Sequence, residues 1–178
     1  MGFLSVLLYS AGMQKKEIKP MNTQAKDKDI TEKAYFKIDE NGQWFHNGEP
    51  IKRSALAKLF ADKGLRVDEN GRYWLQSPYE KYPVEVVDSP FIIIDYSQNT
   101  DGLDLIANMG DVVPLGPDHP MVLRDSDVYN MKLPYVHVRG GLYARLSRNV
   151  YHAMVHQYGA SVYSRGHDYL LGEVETSL

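Results

Sequence analysis

The sequence carries the same order of elements twice, and this repeat limits the available folds more than any other feature. In each copy a strand is followed by a glycine-containing break, an amphipathic helix and a hairpin. A shift of 91 positions superposes four pairs of residues: His46 on His137, Ile51 on Leu142, Leu59 on Val150 and Phe60 on Tyr151. The repeat predicts an α+β fold with two similar halves, each a small antiparallel sheet with one packed helix. The seam between two such halves is a natural crevice for a ligand.

The first copy is predicted from turn and helix signals. Asn41-Gly42 follows an apolar run and precedes Trp44-Phe45-His46, which is typical of a β-hairpin. Pro50 suits the first turn of a helix, and the apolar residues after it recur at helical spacing: Ile51, Ala55, Leu56, Leu59 and Phe60. Gly64 is a natural end for this helix. A second pair, Asn70-Gly71, predicts the hairpin that follows.

The second copy begins with a predicted strand, Tyr135-Val136-His137-Val138. Arg139-Gly140-Gly141 breaks this strand, and we expect a helix to start directly after it. The apolar face of that helix is marked by Leu142, Leu146, Val150, Ala153 and Met154, and Gly159 ends it. A last hairpin turns at Arg165-Gly166.

The boundary between the halves is predicted at Asp88-Ser89-Pro90, a turn between two strand-like runs. We therefore divide the chain into a flexible leader at 1–28, an N-terminal half at 29–88, a C-terminal half at 89–172 and a tail at 173–178. The apolar run at 3–8 is too short to span a membrane, and no basic residue precedes it as in a secretory signal. We expect no membrane association.

Charge and cysteine content exclude several classes of function. A formal net charge of −3 gives no global field that would recruit nucleic acid or an anionic membrane. The chain has no cysteine, which excludes a disulfide scaffold, a thiolate zinc site and a thiol nucleophile. Because such a chain suits a reducing compartment, we expect a cytoplasmic protein. Any anion site must then be a local cluster of basic residues.

The strongest local signal for binding is Gly140-Gly141, at the expected junction of strand and helix. Consecutive glycines let backbone N–H groups converge, and a helix start carries partial positive charge, so together they favour a phosphate or carboxylate. Three arginines lie beside or after this pair: Arg139, Arg145 and Arg148. The first copy also opens its helix with basic residues, Lys52 and Arg53. This pattern predicts a local electropositive site.

No motif predicts catalysis or a metal. His152 and His156 have the spacing of a helical metal pair, but Ala153 stands where the HExxH motif requires glutamate. No third ligand is evident. The sequence also lacks a GxSxG elbow, a GxGxxG loop and a P-loop. We therefore predict no catalytic residues, no metal site and no cofactor.

Seven segments carry a resemblance to a known family. They are WFHNGEPI at 44–51, DENGRYWL at 68–75, PYEK at 78–81, the stretch 84–91, NMGD at 108–111, GPDHP at 116–120 and PYVHVRGGL at 134–142. These segments resemble the bacterial domain-of-unknown-function family 1285 (DUF1285). The resemblance implies a duplicated α+β fold whose C-terminal half is superficially like a pleckstrin-homology domain. It also implies a seam site for a nucleotide-like ligand and a role in signal transduction, without enzyme activity.

The leading hypothesis is a cytoplasmic, non-enzymatic module that binds a small anionic, nucleotide-like ligand at the seam. The residues expected to line the site are Trp44, His46, Arg53, Tyr135, His137, Arg139, Gly140, Gly141, Arg145 and Arg148. The arginines would pair with phosphate or carboxylate, the glycine N–H groups would cap the anion, and the rings would line its body.

Two alternatives stay open. The chain could be a protein-interaction module that uses its pleckstrin-like half or an exposed sheet edge. It could also be a hydrolase or transferase with His46 or His137 as general base and arginines stabilising an oxyanion. In none of these readings do we expect extended nucleic-acid binding.

Overall fold

Residues 36–172 are described by the computed structural model of the chain. The leader predicted at 1–28 and the tail predicted at 173–178 lie outside these residues. Within them, two six-stranded sheets, two helices and one separate hairpin make up the regular structure.

The N-terminal half contains one sheet and one short helix. Strands β1 (Phe36–Ile38), β2 (Trp44–His46) and β3 (Glu49–Pro50) precede helix α1 (Ser54–Leu59). The chain continues into one π-helical turn (Phe60–Gly64), then β4 (Leu65–Val67), β5 (Tyr73–Gln76) and β6 (Lys81–Val86). Leu56 and Phe60, four positions apart on the predicted apolar face, are buried and hold the helix to the sheet, whereas Ala55 of that face is exposed.

The C-terminal half begins with six strands. They are β7 (Phe91–Gln98), β8 (Leu103–Ala107), β9 (Val112–Pro114), β10 (Met121–Ser126), β11 (Met131–Arg139) and β12 (Leu142–Leu146). Helix α2 (Arg148–Tyr158) and the hairpin of β13 (Ser161–Ser164) and β14 (His167–Leu170) complete it. Across residues 36–172, no helix has the length and apolar character needed to cross a bilayer.

The two sheets share a layout in which one parallel pair joins otherwise antiparallel strands. The N-terminal order is β3-β2-β1-β6-β5-β4, and the C-terminal order is β10-β11-β12-β7-β8-β9. The parallel pairs are β1 with β6 and β7 with β12. The predicted α+β fold with two similar halves is therefore confirmed. The parallel pairs are a feature that the pattern of turns does not encode.

The repeat is present in a fuller form than the sequence pattern suggests. β2 and β3 pair across a turn at Asn47-Gly48, and β11 and β12 pair across a turn at Gly140-Gly141. A helix and then a hairpin follow each pair. The first hairpin, β4–β5, joins its sheet, whereas the second, β13–β14, forms a sheet of its own.

The predicted start of the second helix is wrong. The segment Leu142–Leu146 is strand β12, and α2 begins at Arg148. Ser147 caps this helix, because its side chain accepts a hydrogen bond from the Val150 N–H at 3.3 Å.

The error has a simple cause in the spacing of apolar residues. Leu142 and Leu146 are four positions apart, which fits one face of a helix. With Ala144 between them they also alternate along one face of a strand, and all three are buried. The pair Gly140-Gly141 consequently makes a hairpin turn, with φ of 52° and 79°, and does not open a helix.

A single hydrophobic core runs through both halves. Its fully buried large side chains come from either side of the seam: Phe36, Ile38, Trp44, Phe60, Leu65, Leu75, Phe91, Ile93, Leu103, Leu105, Leu115 and Met154. Because this core is continuous, the packing of apolar side chains sets the position of one half against the other.

Candidate functional site

A groove of about 480 Å³ opens between the two halves. Its walls come from the β1–β2 hairpin, from α1 with the segment before it, and from the β8–β9 turn. We call it the seam groove, and its lining residues are Gly42, Gln43, Trp44, Ile51, Lys52, Ser54, Ala55, Ala57, Lys58, Asn108 and Met109. A groove of this volume is within the range of small-molecule sites.

The first wall is a tight turn that only glycine fits. Asp39 Oδ1 accepts hydrogen bonds from the N–H groups of Asn41 (2.9 Å) and Gln43 (2.8 Å). Gly42 closes the turn with φ of 76°, a conformation that disfavours side chains. A Cβ on Gly42 would lie 2.5 Å from Asn108 Nδ2, so this turn is docked directly on the C-terminal half.

Two side chains fasten the walls of the seam groove together. Asn108 Oδ1 accepts the Ile92 N–H at 3.1 Å, and Asn108 Nδ2 donates to Gly42 O at 3.4 Å. Lys58 Nζ donates to Met109 O at 2.6 Å and pairs with Asp62 at 3.2 Å. Helix α1 and the β1–β2 turn are therefore both bonded to the β8–β9 turn, which Asn108 in turn bonds to β7.

Three polar side chains on the groove wall have no hydrogen-bond or ion-pair partner within residues 36–172. They belong to Gln43, Lys52 and Ser54, and all three are exposed. An ammonium, a hydroxyl and an amide can together bind an anion.

Trp44 contributes an apolar part of the wall. Its side chain is 1% exposed and its ring centroid lies 6.0 Å from that of Phe60. The indole Nε1 is buried and finds no hydrogen-bond acceptor within residues 36–172. Trp44 therefore supports the base of the groove from within the core and exposes almost none of its ring.

A second polar site on the seam is buried around Asp88, whose side chain is 4% exposed. Asp88 Oδ1 accepts hydrogen bonds from Ser126 Oγ (2.8 Å) and the Tyr135 hydroxyl (2.7 Å). Asp88 Oδ2 accepts one from Arg145 Nε at 2.7 Å. We call these four residues the Asp88 cluster. Burial, together with the negative charge of Asp88, raises the pKa of Tyr135 to about 12.

Arg145 also links the Asp88 cluster to the first hairpin turn. Its Nη2 donates to Glu40 O at 2.8 Å and to the Tyr129 hydroxyl at 3.1 Å, and its Nη1 donates to Leu146 O at 3.0 Å. The side chain is 8% exposed. This arginine, predicted as a ligand contact, is thus fully engaged within the protein.

A smaller pocket of about 160 Å³ lies over the Asp88 cluster. Besides Asp88 its lining contains two further carboxylates, Asp125 and Asp127, and one cation, Arg124. The Arg124 guanidinium lies 3.6 Å from the centre of the Tyr143 ring, as in a cation–π contact. This pocket therefore has the opposite charge character to the seam groove.

Arg139 joins the halves at a third place. Its Nη1 pairs with Asp111 Oδ1, and its Nη2 donates to Ala61 O at 3.0 Å and approaches Asp62 Oδ1 at 3.5 Å. The guanidinium also lies 5.0 Å from the centre of the Phe91 ring. Arg139 is thus bonded to two carboxylates, one from each half.

His137 lies beside the Gly140-Gly141 turn and away from the seam groove. Its Nδ1 is 3.2 Å from Asp118 O, and its Nε2 accepts the Gly141 N–H at 3.4 Å. Because a carbonyl can only accept and an N–H can only donate, these two contacts fit the tautomer with its proton on Nδ1. The His119 ring stacks against it, with centroids 6.1 Å apart.

The remaining predicted residues are spread over the N-terminal half and α2. His46 ends β2 and packs on Phe36 with ring centroids 4.8 Å apart, and burial lowers its pKa. Arg53 is exposed just before α1, and Arg148 is exposed as the first residue of α2.

The ten predicted ligand residues therefore do not share one site. Trp44 lines the seam groove, Tyr135 and Arg145 belong to the Asp88 cluster, and Arg139 forms its own ion pairs. Their roles toward a ligand stay predictions. Within residues 36–172 no histidine ring bonds a carboxylate, which is the pair that the histidine-based enzyme alternative requires.

Sequence reasoning did not find Lys58, Asn108 or the Asp88 carboxylate. Lys58 and Asn108 contact partners that are 51 and 66 positions away, so no local pattern could reveal them. Asp88 was visible only as part of the predicted boundary, which gave no sign that its carboxylate is buried.

Comparison with protein families gives two matches that meet inside this chain. The N-terminal domain of DUF1285, a domain of unknown function, matches residues 25–89. The C-terminal domain of DUF1285, a protein of unknown function, matches residues 90–168.

Two solved structures are similar to this chain. A DUF1285 family protein from Silicibacter pomeroyi DSS-3 has 27% identity and a TM-score of 0.72, over 95% of this chain and 96% of that one. A DUF1285 family protein from Shewanella baltica OS155 has 27% identity and a TM-score of 0.56, over 70% of this chain and 93% of that one. A search of curated proteins finds no match.

Proposed function

The chain belongs to the DUF1285 family, as its sequence motifs predict, and we propose that it is a non-enzymatic binding module with a small anionic ligand in the seam groove. The non-enzymatic part of the proposal rests on the chemistry of the lining. Its ammonium groups, hydroxyl and amides can bind an anion, and no histidine is among the groove residues to act as a general base.

The observation that carries the proposal is the charge of the groove lining. Two of its eleven residues, Lys52 and Lys58, are cationic, and none is acidic. The chain as a whole has a net charge of −3, so the charge of the groove lining is opposite in sign to that of the whole chain. In a concave site, lining of one sign raises the local concentration of ligands of the other sign.

The second pocket supports the same assignment by contrast. Three carboxylates line the pocket over the Asp88 cluster, and Asp88 itself is satisfied by three protein donors. An anion entering there would meet like charge. Of the two pockets, the seam groove is the one suited to an anion.

Several expectations from the sequence stay predictions beside this proposal. They are a nucleotide-like character of the ligand, a role in signal transduction and a location in the cytoplasm. A protein partner and the two alternatives, an interaction module and a histidine-based enzyme, likewise stay predictions.

A thermal-shift screen of the whole chain tests the proposal. The probes are benzoate, inorganic pyrophosphate and AMP, with choline as the cationic control. We expect at least one anion to raise the melting temperature and choline to leave it unchanged. A ligand at a hundred times its Kd stabilises the folded state by about 2.7 kcal/mol, which such a screen detects.

Two variants that each remove one exposed positive charge provide the matched comparison. Lys52→Met lies on the groove wall, whereas Arg148→Met lies at the start of α2. The shift should be lost in Lys52→Met and kept in Arg148→Met. Unchanged melting with every anion, or a loss confined to Arg148→Met, would contradict the proposal.

A further inference from the structure

The net charge available to a ligand in the seam groove can be counted from its ion pairs. Lys58 pairs with Asp62, Asp62 also faces Arg139, and Arg139 pairs with Asp111. These two cations and two carboxylates balance one another. Lys52 has no ion pair within residues 36–172, so the lining presents one unbalanced positive charge.

The arginines of the seam are also unavailable to a polyphosphate. Arg139 and Arg145 are the forked, bidentate donors that phosphate groups prefer, and both are bonded to carboxylates and backbone carbonyls. Asn108 is likewise bonded through both its Oδ1 and its Nδ2. The free polar groups are the Lys52 ammonium and the side chains of Gln43 and Ser54.

The rest of the lining is apolar. Trp44, Ile51 and Ala57 line the groove but are buried. The apolar groups that a ligand can reach are the side chains of Ala55, which is exposed, and Met109, which is half-buried. Such surfaces favour the body of an apolar ligand, since burying it removes apolar area from water. A second or third negative charge would instead lose hydration without finding a cation.

We infer that the seam groove takes a small monocarboxylate with an apolar body, and not a nucleotide di- or triphosphate. This inference rests on the proposed function, because it names the ligand class of the same site. The carboxylate pairs with Lys52 and accepts hydrogen bonds from Ser54 or Gln43. The apolar body lies along Ala55 and Met109.

Isothermal titration of the whole chain with matched probes tests the inference. 4-Phenylbutyrate supplies the carboxylate and the body, 4-phenylbutanol the body alone and acetate the carboxylate alone. ATP and inorganic pyrophosphate supply multiple charges. We expect 4-phenylbutyrate to bind at least about 10-fold more tightly than each of the other four, because a charge-assisted contact changes affinity by about 10- to 100-fold.

Variants of Lys52 test whether 4-phenylbutyrate binds in the seam groove. Lys52→Met should weaken 4-phenylbutyrate by about 10- to 100-fold, and Lys52→Arg, which keeps the positive charge, should restore most of that loss. Arg72→Met, at an exposed position between β4 and β5, is the control and should keep the affinity within about 3-fold. Tighter, Lys52-dependent binding of ATP or pyrophosphate overturns this inference and leaves the proposed function standing. Equal binding of 4-phenylbutanol, or 4-phenylbutyrate binding that ignores Lys52, also overturns it. If none of the anions binds, the inference and the proposed function fail together.

Discussion

Two hairpin turns of the N-terminal half share the sequence Asp-Glu-Asn-Gly, at 39–42 and 68–71, and have the same local structure. In both, the aspartate Oδ1 accepts hydrogen bonds from the N–H groups two and four positions later, at 2.8–2.9 Å. The glycine of each has φ of 76°. We call them the seam turn (39–42) and the outer turn (68–71).

The two turns differ in what lies outside them. Within residues 36–172, no side chain of the seam turn forms a hydrogen bond or ion pair with the C-terminal half. The backbone carbonyls of Glu40 and Gly42 accept hydrogen bonds from Arg145 and Asn108. The outer turn has open space beside Gly71. It is supported by its own strand instead, because Trp74 Nε1 donates to Asp68 Oδ2 at 2.9 Å.

Local sequence sets the conformation of each turn, whereas packing sets the place of the turn in the protein. Four residues are enough to set the hydrogen bonds and the glycine conformation of both turns. Their positions in the protein are set by residues far along the chain. Docking of the seam turn also builds one wall of the seam groove, so the same contacts that hold the halves together shape the proposed site.

The largest loss of stability should come from removing Arg145, the cation that bonds the seam turn to the C-terminal half. Arg145→Met leaves the Asp88 carboxylate buried without its ion pair, so we expect a loss of about 3–5 kcal/mol in the free energy of unfolding, measured by urea denaturation. Arg72→Met, in the outer turn, is the control and should stay within about 0.5 kcal/mol, because Arg72 is exposed.

A double variant keeps this prediction testable if Arg145→Met folds poorly. Adding Asp88→Asn removes the uncompensated charge and should recover part of the lost stability. Equal losses in Arg145→Met and Arg72→Met would contradict the distinction between the two turns.

Replacing the glycine of each turn by alanine should also change stability unequally, by less than the loss expected for Arg145→Met. Gly42→Ala and Gly71→Ala each place a side chain at positive φ, at a cost of about 1–2 kcal/mol. Only Gly42→Ala also drives a Cβ to 2.5 Å from Asn108 Nδ2 and 3.0 Å from Ile92 Cγ1. We expect Gly42→Ala to be the less stable variant by a further 1–3 kcal/mol, roughly the cost of overpacking. Identical denaturation midpoints would show that the seam turn is not docked as described.

The smallest expected effect is a change in the pKa of Asp68, in the outer turn. The hydrogen bond from Trp74, with further bonds from the backbone, lowers the pKa of Asp68 below its ordinary value. A lowered pKa in the folded state contributes stability above pH 3.8 that is lost as the pH falls through the folded value. Trp74→Phe should raise this pKa toward 3.8 in a carboxyl NMR titration.

Arg72→Met is the graded control for that titration. The charge of Arg72 contributes least to the lowered pKa of Asp68, and the Trp74 hydrogen bond contributes most. Arg72→Met should therefore raise this pKa less than Trp74→Phe does. The reverse order would mean that charge, and not the indole hydrogen bond, supports the outer turn.

The elements of the fold could be predicted wherever a local signal was unambiguous. The pairs Asn41-Gly42 and Asn70-Gly71 identified their hairpins, and the helical spacing after Pro50 identified α1. The predicted start of α1 was wrong, because Pro50 ends β3 and the helix begins at Ser54. The start of α2 could not be read in the same way, because Leu142 and Leu146 fit a strand as well as a helix. Ser147, the N-cap, is the local sequence signal that marks the true start of α2.

The candidate site was less predictable because it depends on long-range contacts. Asp88 receives hydrogen bonds from residues 38, 47 and 57 positions later, and no local pattern encodes such a cluster. The basic residues were visible in the sequence, but their partners were not. Arg139 and Arg145 therefore looked available to a ligand, whereas the structure pairs them with carboxylates.

Chemical-shift mapping tests the central claim, that a small anion binds in the seam groove, most directly. Amide ¹H–¹⁵N spectra of the whole chain would be recorded during titration with 4-phenylbutyrate. We predict the largest shifts at Gln43, at 52–55 and at 108–109, with the outer turn unmoved. Shifts centred on the Asp88 cluster or on Gly140-Gly141, or no shifts at all, would contradict the account.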